Sequence, residues 1–142
     1  MKLTRYTDYA LRILLQLGRS PNRLQSIHDL SVACNAPENH VMKVTPTLVR
    51  GGLAASARGR GGGMKLAKTP DQISVGEVVR LTEGPLDVGE CNDCLQCNSC
   101  HLPNVLENAG EAFLLALDKV TLADILASGD PPSHSFGDQV RS

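Results

Sequence analysis

Cys91, Cys94, Cys97 and Cys100 stand three residues apart in one short run, C-x2-C-x2-C-x2-C. Thiolates packed this closely on one loop can wrap several irons of a single iron–sulfur cluster, and the last ligand is free to come from elsewhere in the chain. Structural zinc more often takes two separated Cys-x2–4-Cys knuckles that reach the metal from two directions, so a continuous run suits it less well. A bare thiol switch is a third reading, because neighbouring thiols without metal oxidise readily. The iron–sulfur cluster leads, with zinc behind it and the thiol switch last. The fifth cysteine, Cys34, lies alone on an apolar helix face and reads as a small buried residue.

A second set of residues is basic. Residues 1–80 carry 12 Lys and Arg against 5 Asp and Glu, a balance of +7, whereas residues 81–142 carry 2 against 10, a balance of -8. The overall charge of -1 hides this polarity, which points to an anionic partner for the first half. Asn39, His40 and Lys43 fall at the start of an apolar-periodic segment, with Arg50 at its end. If that segment is a helix in a DNA major groove, Asn39, His40 and Lys43 reach bases and phosphates and Arg50 neutralises a phosphate. Further on, Arg58-Gly59-Arg60-Gly61-Gly62-Gly63 forms a basic, glycine-rich tip. The guanidinium groups of Arg58 and Arg60 suit a narrow, electronegative minor groove.

The elements that must position these residues follow from hydrophobic spacing. Tyr6, Tyr9, Ala10, Ile13, Leu14 and Leu17 mark a first helix, with Thr4 or Thr7 as its cap. A short second helix is expected from Ser26 to Cys34, with Ile27, Leu30 and Val32 inward. After the turn at Asn35-Ala36-Pro37, Val41, Met42, Val44, Leu48 and Val49 mark a third, inside which Pro46 predicts a kink or an early end. Two short strands around the glycine-rich tip, Leu53–Ala57 and Met64–Ala67, complete the order of a winged helix-turn-helix. Ile73 to Leu81 is a fourth helix. From Leu102 to Val120, Leu102, Val105, Leu106, Ala109, Ala112, Phe113, Ala116, Leu117 and Val120 keep a helical stripe that the small remainder of the chain cannot cover. A dimer seam is the expected use of it. Thr121 and Asp124 have capping-box spacing for a last short helix.

The fold class expected is therefore mainly α with a small β-hairpin: a winged helix-turn-helix plus a long C-terminal dimerisation helix. Residues 1–83 form the DNA-binding region, 84–102 the cysteine-rich cluster-binding loop, 103–128 the dimerisation helix and short terminal helix, and 129–142 a disordered tail. No apolar run approaches the roughly 18 residues of a membrane span, and Met1 to Asp8 lacks the apolar stretch of a signal peptide, so a cytoplasmic protein with no membrane partner is expected. No catalytic triad, phosphate loop or acid/base carboxylate pair stands out, which excludes an enzyme reading. A small redox carrier would leave the basic half without a purpose. A zinc-stabilised DNA-binding module remains the structural alternative to a sensor.

Leu3-Thr4 with Thr7-Asp8-Tyr9-Ala10-Leu11-Arg12, then Asn39-His40-Val41-Met42-Lys43-Val44, Arg58-Gly59-Arg60-Gly61-Gly62-Gly63 and Thr121-Leu122-Ala123-Asp124, resemble the nitric-oxide-sensing branch of the IscR/NsrR iron–sulfur winged-helix regulators. The likeness covers residues 1 to 127. It implies a homodimeric repressor on palindromic operator DNA, carrying a [4Fe-4S] cluster, with [2Fe-2S] as the alternative. It also implies that nitrosylation or loss of the cluster releases the operator and derepresses nitric-oxide detoxification genes. The family's three cysteine ligands fall on Cys91, Cys94 and Cys100, and its fourth, an aspartate supplied in trans by the partner subunit, falls on Asp8. A hard carboxylate among soft thiolates is the weak bond of such a set. This chain departs from the family in having only Asn92-Asp93 between its first two cysteines and in carrying Cys97 as an extra thiol. Either Cys97 replaces one of the three, or four cysteines hold the cluster and Asp8 is free. Related regulators sense iron, cluster supply or redox status instead.

Overall fold

The computed structural model describes residues 2–86 and 100–128. Cys91, Cys94, Cys97, most of the expected cluster loop and the expected tail at 129–142 lie outside the described residues. Six helices and one hairpin follow in the order α1 (Arg5–Arg19), α2 (Ile27–Cys34), α3 (Glu38–Arg50), β1 (Ala54–Ala57), β2 (Gly63–Leu66), α4 (Val75–Glu83), α5 (Leu102–Asp118) and α6 (Leu122–Ala127). No helix among the described residues is long and apolar enough to cross a membrane. This is the mainly helical, single-hairpin architecture that the spacing predicts.

The helix ends are set by side chains that answer otherwise unpaired backbone N–H groups. Thr4, rather than Thr7, caps α1. Ser26 and Asp29 make a reciprocal capping box on α2, and Thr121 and Asp124 make the expected one on α6. Each such cap stabilises its helix by about 1 kcal/mol. Asn35 ends α2 in the left-handed region, φ 50° and ψ 51°, a conformation that asparagine tolerates better than most residues. The tight α2–α3 turn follows from it.

One face of α1 is the centre of the core. Leu11, Ile13, Leu14 and Leu17 are fully buried against Leu30, Val41, Leu48, Ile73, Val78 and Leu122. α1 thereby packs on α2, α3, α4 and α6. Each of these large side chains contributes about 1.5–3 kcal/mol of burial. The helix that begins beside the chain's N-terminus is thus the axle on which the other helices are mounted.

Two apolar residues assigned inward by spacing point outward: Val32 is 69% exposed and Met42 60% exposed. Both sit at the margin of their helix's apolar stripe, where residue type alone does not decide the side. Pro46 neither shortens nor ends α3, which runs on to Arg50. Pro46 is exposed, so the Met42 carbonyl it leaves without a partner is open to water. The Tyr6 hydroxyl of α1 donates to the next carbonyl, Lys43 O, at 3.3 Å, and also bonds Thr47 Oγ1. This braces the helix at the turn the proline weakens.

β1 and β2 pair antiparallel, Ala54 opposite Leu66 and Ala57 opposite Gly63. Gln25, in the α1–α2 connection, adds a bridge to this ribbon: Gln25 N donates to Met64 O at 2.9 Å and Met64 N to Gln25 O at 2.8 Å. A side chain at position 63 would start 2.7 Å from Gln25 O, so glycine is needed for this close approach. The hairpin is fastened by that bridge to the helix-turn-helix.

Candidate nucleic-acid interface and metal centre

The outer face of α3 presents Asn39, Met42, Lys43, Pro46 and Arg50, all exposed, while Val41, Val44, Thr45 and Leu48 face the core. Asn39 lies in the first turn, its Oδ1 accepting from His40 N at 3.0 Å. His40 differs from its expected role as a freely exposed contact. It is half-buried, with its ring edge-on to Tyr9 of α1 at 5.2 Å between centroids and 70° between planes. Arg50 lies in the last turn, Nη2 donating to Thr47 Oγ1 at 3.3 Å.

Across from α3, the wing carries Arg58 and Arg60 at its exposed tip. α3 and the wing enclose a cleft of about 460 Å³, lined by Pro46, Val49, Arg50, Ser56, Arg58 and Met64 among others. Arg50 and Arg58 therefore border one hollow. Among the described residues, none of Lys43, Arg50, Arg58 and Arg60 forms an ion pair, whereas Arg12, Lys68 and Arg80 each pair with an acid. Cations left without acids around a helix and a flexible tip suit a polyanion.

The first candidate ligand lies in the first turn of α1, beside the Tyr9 that meets His40. Asp8 is only 9% exposed, in the first turn of the helix. Arg12 grips both its oxygens, Nε to Oδ1 at 3.1 Å and Nη2 to Oδ2 at 2.8 Å, and Arg12 Nη1 donates to the Cys34 carbonyl at 3.2 Å. The same guanidinium lies 5.8 Å from the Tyr9 ring centroid. A carboxylate oxygen that accepts from arginine keeps a second lone pair, and ligating carboxylates are commonly held by just such bonds. Cys100 is half-buried and stands two residues before α5, with the N-cap His101 between them. A thiol and an oriented carboxylate are a donor set that iron accepts, so the residues fit an iron–sulfur group. Cys91, Cys94 and Cys97 lie outside the described residues. Cys34 is buried, and that burial pushes its thiol up to about 11, the character of an inert structural cysteine rather than a reactive one.

A residue that sequence spacing did not single out ties these parts together. Glu83, the last residue of α4, receives the Thr4 amide at 2.7 Å, the Thr4 hydroxyl at 2.9 Å and the Thr7 hydroxyl at 2.6 Å. Thr7 also bonds the Thr82 hydroxyl at 2.7 Å. The start of α1, with Asp8, is thus clamped to the end of α4, a few residues before the cysteine run begins. Burial pushes the Glu83 carboxyl up, but the bonds from Thr7 and Thr4 outweigh it and hold the carboxyl below its ordinary value of 4.5. A depressed carboxylate stabilises the fold above its unfolded value, and that stability is lost as pH falls through the lower folded value. Glu83→Gln is therefore expected to lose stability at neutral pH and to flatten the acid limb of a Tm-against-pH series below about pH 4.5. An unchanged acid limb would remove the clamp from the account.

The chain matches the Rrf2 family, described as iron-dependent transcriptional regulators, over residues 3–128. It is 41% identical to the HTH-type transcriptional regulator NsrR of Halalkalibacterium halodurans, over 92% of this chain and 93% of that one. It is 42% identical to the regulator of the same name from Bacillus subtilis, over 89% and 90%. Among solved structures, the global cysteine regulator CymR of B. subtilis superposes with a TM-score of 0.76 at 25% identity, covering 92% of this chain and 99% of that one. IscR of T. potens superposes at 0.75 and 23%, covering 99% and 96%, a likeness of fold alone. The likeness to NsrR-type regulators read from helix 1 and the recognition helix is borne out, and these relatives are regulators rather than enzymes. The winged helix, its unpaired cations and this match together make the chain a member of the Rrf2 family of DNA-binding transcriptional regulators.

Proposed function

We propose that the protein is a homodimeric repressor whose grip on a palindromic operator depends on an iron–sulfur cluster and is released by nitric oxide. The cluster, [4Fe-4S] in preference to [2Fe-2S], would be held by Cys91, Cys94 and Cys100 with the partner subunit's Asp8, or by Cys97 in place of one of these. When bound, it supplies iron that reacts with nitric oxide. The protein's own part is to hold those donors and to couple them to the DNA face. The observation that carries this reading is that one helix, α1, serves both ends: Asp8 sits in its first turn, and Tyr9 beside it abuts His40 of α3. A displacement of the first turn of α1 is felt at the start of the recognition helix through side chains already in contact. A switch needs no more than a difference in DNA affinity between two such arrangements.

The second copy is the expected cover for α5. Leu102, Val105, Ala109, Ala112 and Ala116 are all exposed and recur at alternating three- and four-residue intervals, with Leu102 50% and Val105 58% exposed. That is the seam of a pair of helices, and a self-complementary stripe closes as a two-fold dimer. Two-fold symmetry in the protein calls for a palindrome in the DNA. Such a protein works where the chromosome is, in the cytoplasm of a bacterial cell.

The test is a visible absorption spectrum of anaerobically purified protein, followed with operator binding through stepwise addition of nitric oxide. The reading requires an iron–sulfur band that disappears in step with operator affinity. A colourless protein that acquires no band on reconstitution would transfer the site to zinc or to a thiol switch. A band that survives nitric oxide would leave the regulator in place and make iron, cluster supply or redox status its signal.

The wing gives a separate prediction. Arg58→Ala with Arg60→Ala removes two phosphate-neutralising charges, so affinity should fall on every duplex. The slope of log K against log salt should shrink by about 2, since each neutralised phosphate contributes ~0.9. A titration at several salt concentrations measures it, and an unchanged slope would take the wing tip off the DNA.

A further inference from the structure

We infer that Met42, with Pro46 one turn beyond it, reads thymine 5-methyl groups in the operator. The inference rests on the reading of α3 as the helix that enters the major groove. Met42 is 60% exposed on a helix whose neighbouring apolar residues, Val41 and Val44, are 0% and 1% exposed. Folding gains nothing from a methionine held in water, so its use lies in what it meets there. Pro46 is also exposed and lines the cleft that Arg50 and Arg58 border, which puts this strip on the side of the unpaired cations. Lys43 and Arg50 flank the pair along the same face. The result is a short apolar strip set in a basic surface.

The one methyl group that the standard bases of a duplex offer in the major groove is the C5-methyl of thymine; cytosine shows only a hydrogen at that position, and the remaining recognition sites are donors or acceptors. A cationic frame selects the duplex and an apolar centre selects thymine within it. Methionine suits the task, because its unbranched, polarisable chain can shift along the groove floor to meet a methyl. Proline, with no backbone N–H, adds an apolar ring and no donor that would favour a different base edge. A protein partner for this strip would bring acidic groups for Lys43 and Arg50 but would explain neither the wing cations nor the helix-turn-helix beneath them.

Deoxyuridine differs from thymine only by the missing methyl, so it isolates the contact. The full chain, purified anaerobically, selects a duplex from a random-sequence pool, and each thymine of that duplex is then replaced in turn by deoxyuridine. The expected result is one or two positions per half-site at which the replacement weakens wild-type binding on the order of 3–5-fold, the worth of one buried methyl. Met42→Ala should weaken binding to the thymine duplex by a similar factor and bind both duplexes equally at those positions. Lys43→Ala should weaken both duplexes alike and keep the ratio. Met42 lies outside the core, so an unchanged Tm accompanies the first variant. Equal binding of thymine and deoxyuridine duplexes by the wild type at every position, or full discrimination by Met42→Ala, overturns the inference and leaves α3 as a DNA helix. Failure to enrich any sequence overturns the major-groove reading itself, and the inference with it.

Discussion

Cys100→Ala is expected to abolish the visible band and, with it, the component of operator binding that depends on the cluster. What remains should equal the wild type stripped of metal: weak, salt-sensitive binding through α3 and the wing. The fold itself should survive, because Cys100 is half-buried, precedes α5 rather than lying within it, and is not among the core residues. Circular dichroism and Tm of the metal-free proteins check that point. Three comparisons make the result specific. Asp8→Ala keeps the band if four cysteines suffice and loses or weakens it if the partner subunit's carboxylate is the fourth ligand. Cys97→Ala keeps the band if Cys97 is no ligand and loses or weakens it if it is, so loss in both variants marks Cys97 in place of one of the three. Cys34→Ala leaves the spectrum unchanged in either case, since its thiol is buried and held protonated. A Cys100→Ala protein with an intact band and an intact nitric-oxide response would remove Cys100 from the ligand set and break the link between that set and α5.

Much of this architecture is legible in the chain because each helix carries its own boundary signals. Thr4, Ser26, Ser74 and Thr121 stand one residue before an apolar-periodic segment and cap it. The hairpin is marked by its glycines. What spacing does not reveal is the set of long-range polar bonds. Glu83 gives no local sign of meeting Thr4 and Thr7, some eighty residues earlier, and Gln25 none of joining the hairpin. Periodicity also assigns a face, not a depth. On α5 the expected stripe omits Leu114 and Gly110, the two residues that the chain itself buries, while Leu102 and Val105 stay open. The reason is physical: α5 has one side turned to α4 and another turned away, and both are apolar. Val32, expected inward, lies outward because it sits at the margin of its helix's apolar stripe, and Met42 on α3 does the same. His40 errs in the opposite direction, a polar residue drawn half inside by an aromatic neighbour. The donor set is the part that a single sequence leaves open, because C-x2-C-x2-C-x2-C contains more thiols than a three-cysteine site with an aspartate requires.

Gly76→Ala is expected to damage the joint between α4 and α5. A Cβ at position 76 would overlap Asp118 Oδ1 and stand 2.8 Å from the Asp118 backbone N. The side chain can swing clear only by surrendering its 2.8 Å bond to Arg80, and the backbone cannot swing at all. Overpacking of this kind costs about 1–3 kcal/mol, or roughly 3–10 °C in Tm for a chain of this length. Asp118→Ala alone should cost little, because its pair with Arg80 is about one-third exposed on both sides. The double variant should recover part, but not all, of the loss, since the backbone contact persists; that shortfall is a coupling energy between α4 and α5. Strict additivity of the two changes would mean that the close approach is not what position 76 protects. The place matters for function because the same joint holds one end of α5. Val75 N donates to Val120 O at 2.8 Å and Leu122 N to Ile73 O at 2.9 Å, and Arg80 adds Glu111 at 3.3 Å. α5 is therefore anchored to α4 at its C-terminal end, while its N-terminal end begins two residues after Cys100. On the proposed reading, a helix fixed at one end and tied near the other to Cys100 as a ligand would turn a small change at the ligand into a larger one along the proposed dimer seam. Loosening the anchor with Gly76→Ala should then weaken the response of operator binding to nitric oxide more than it weakens operator binding itself.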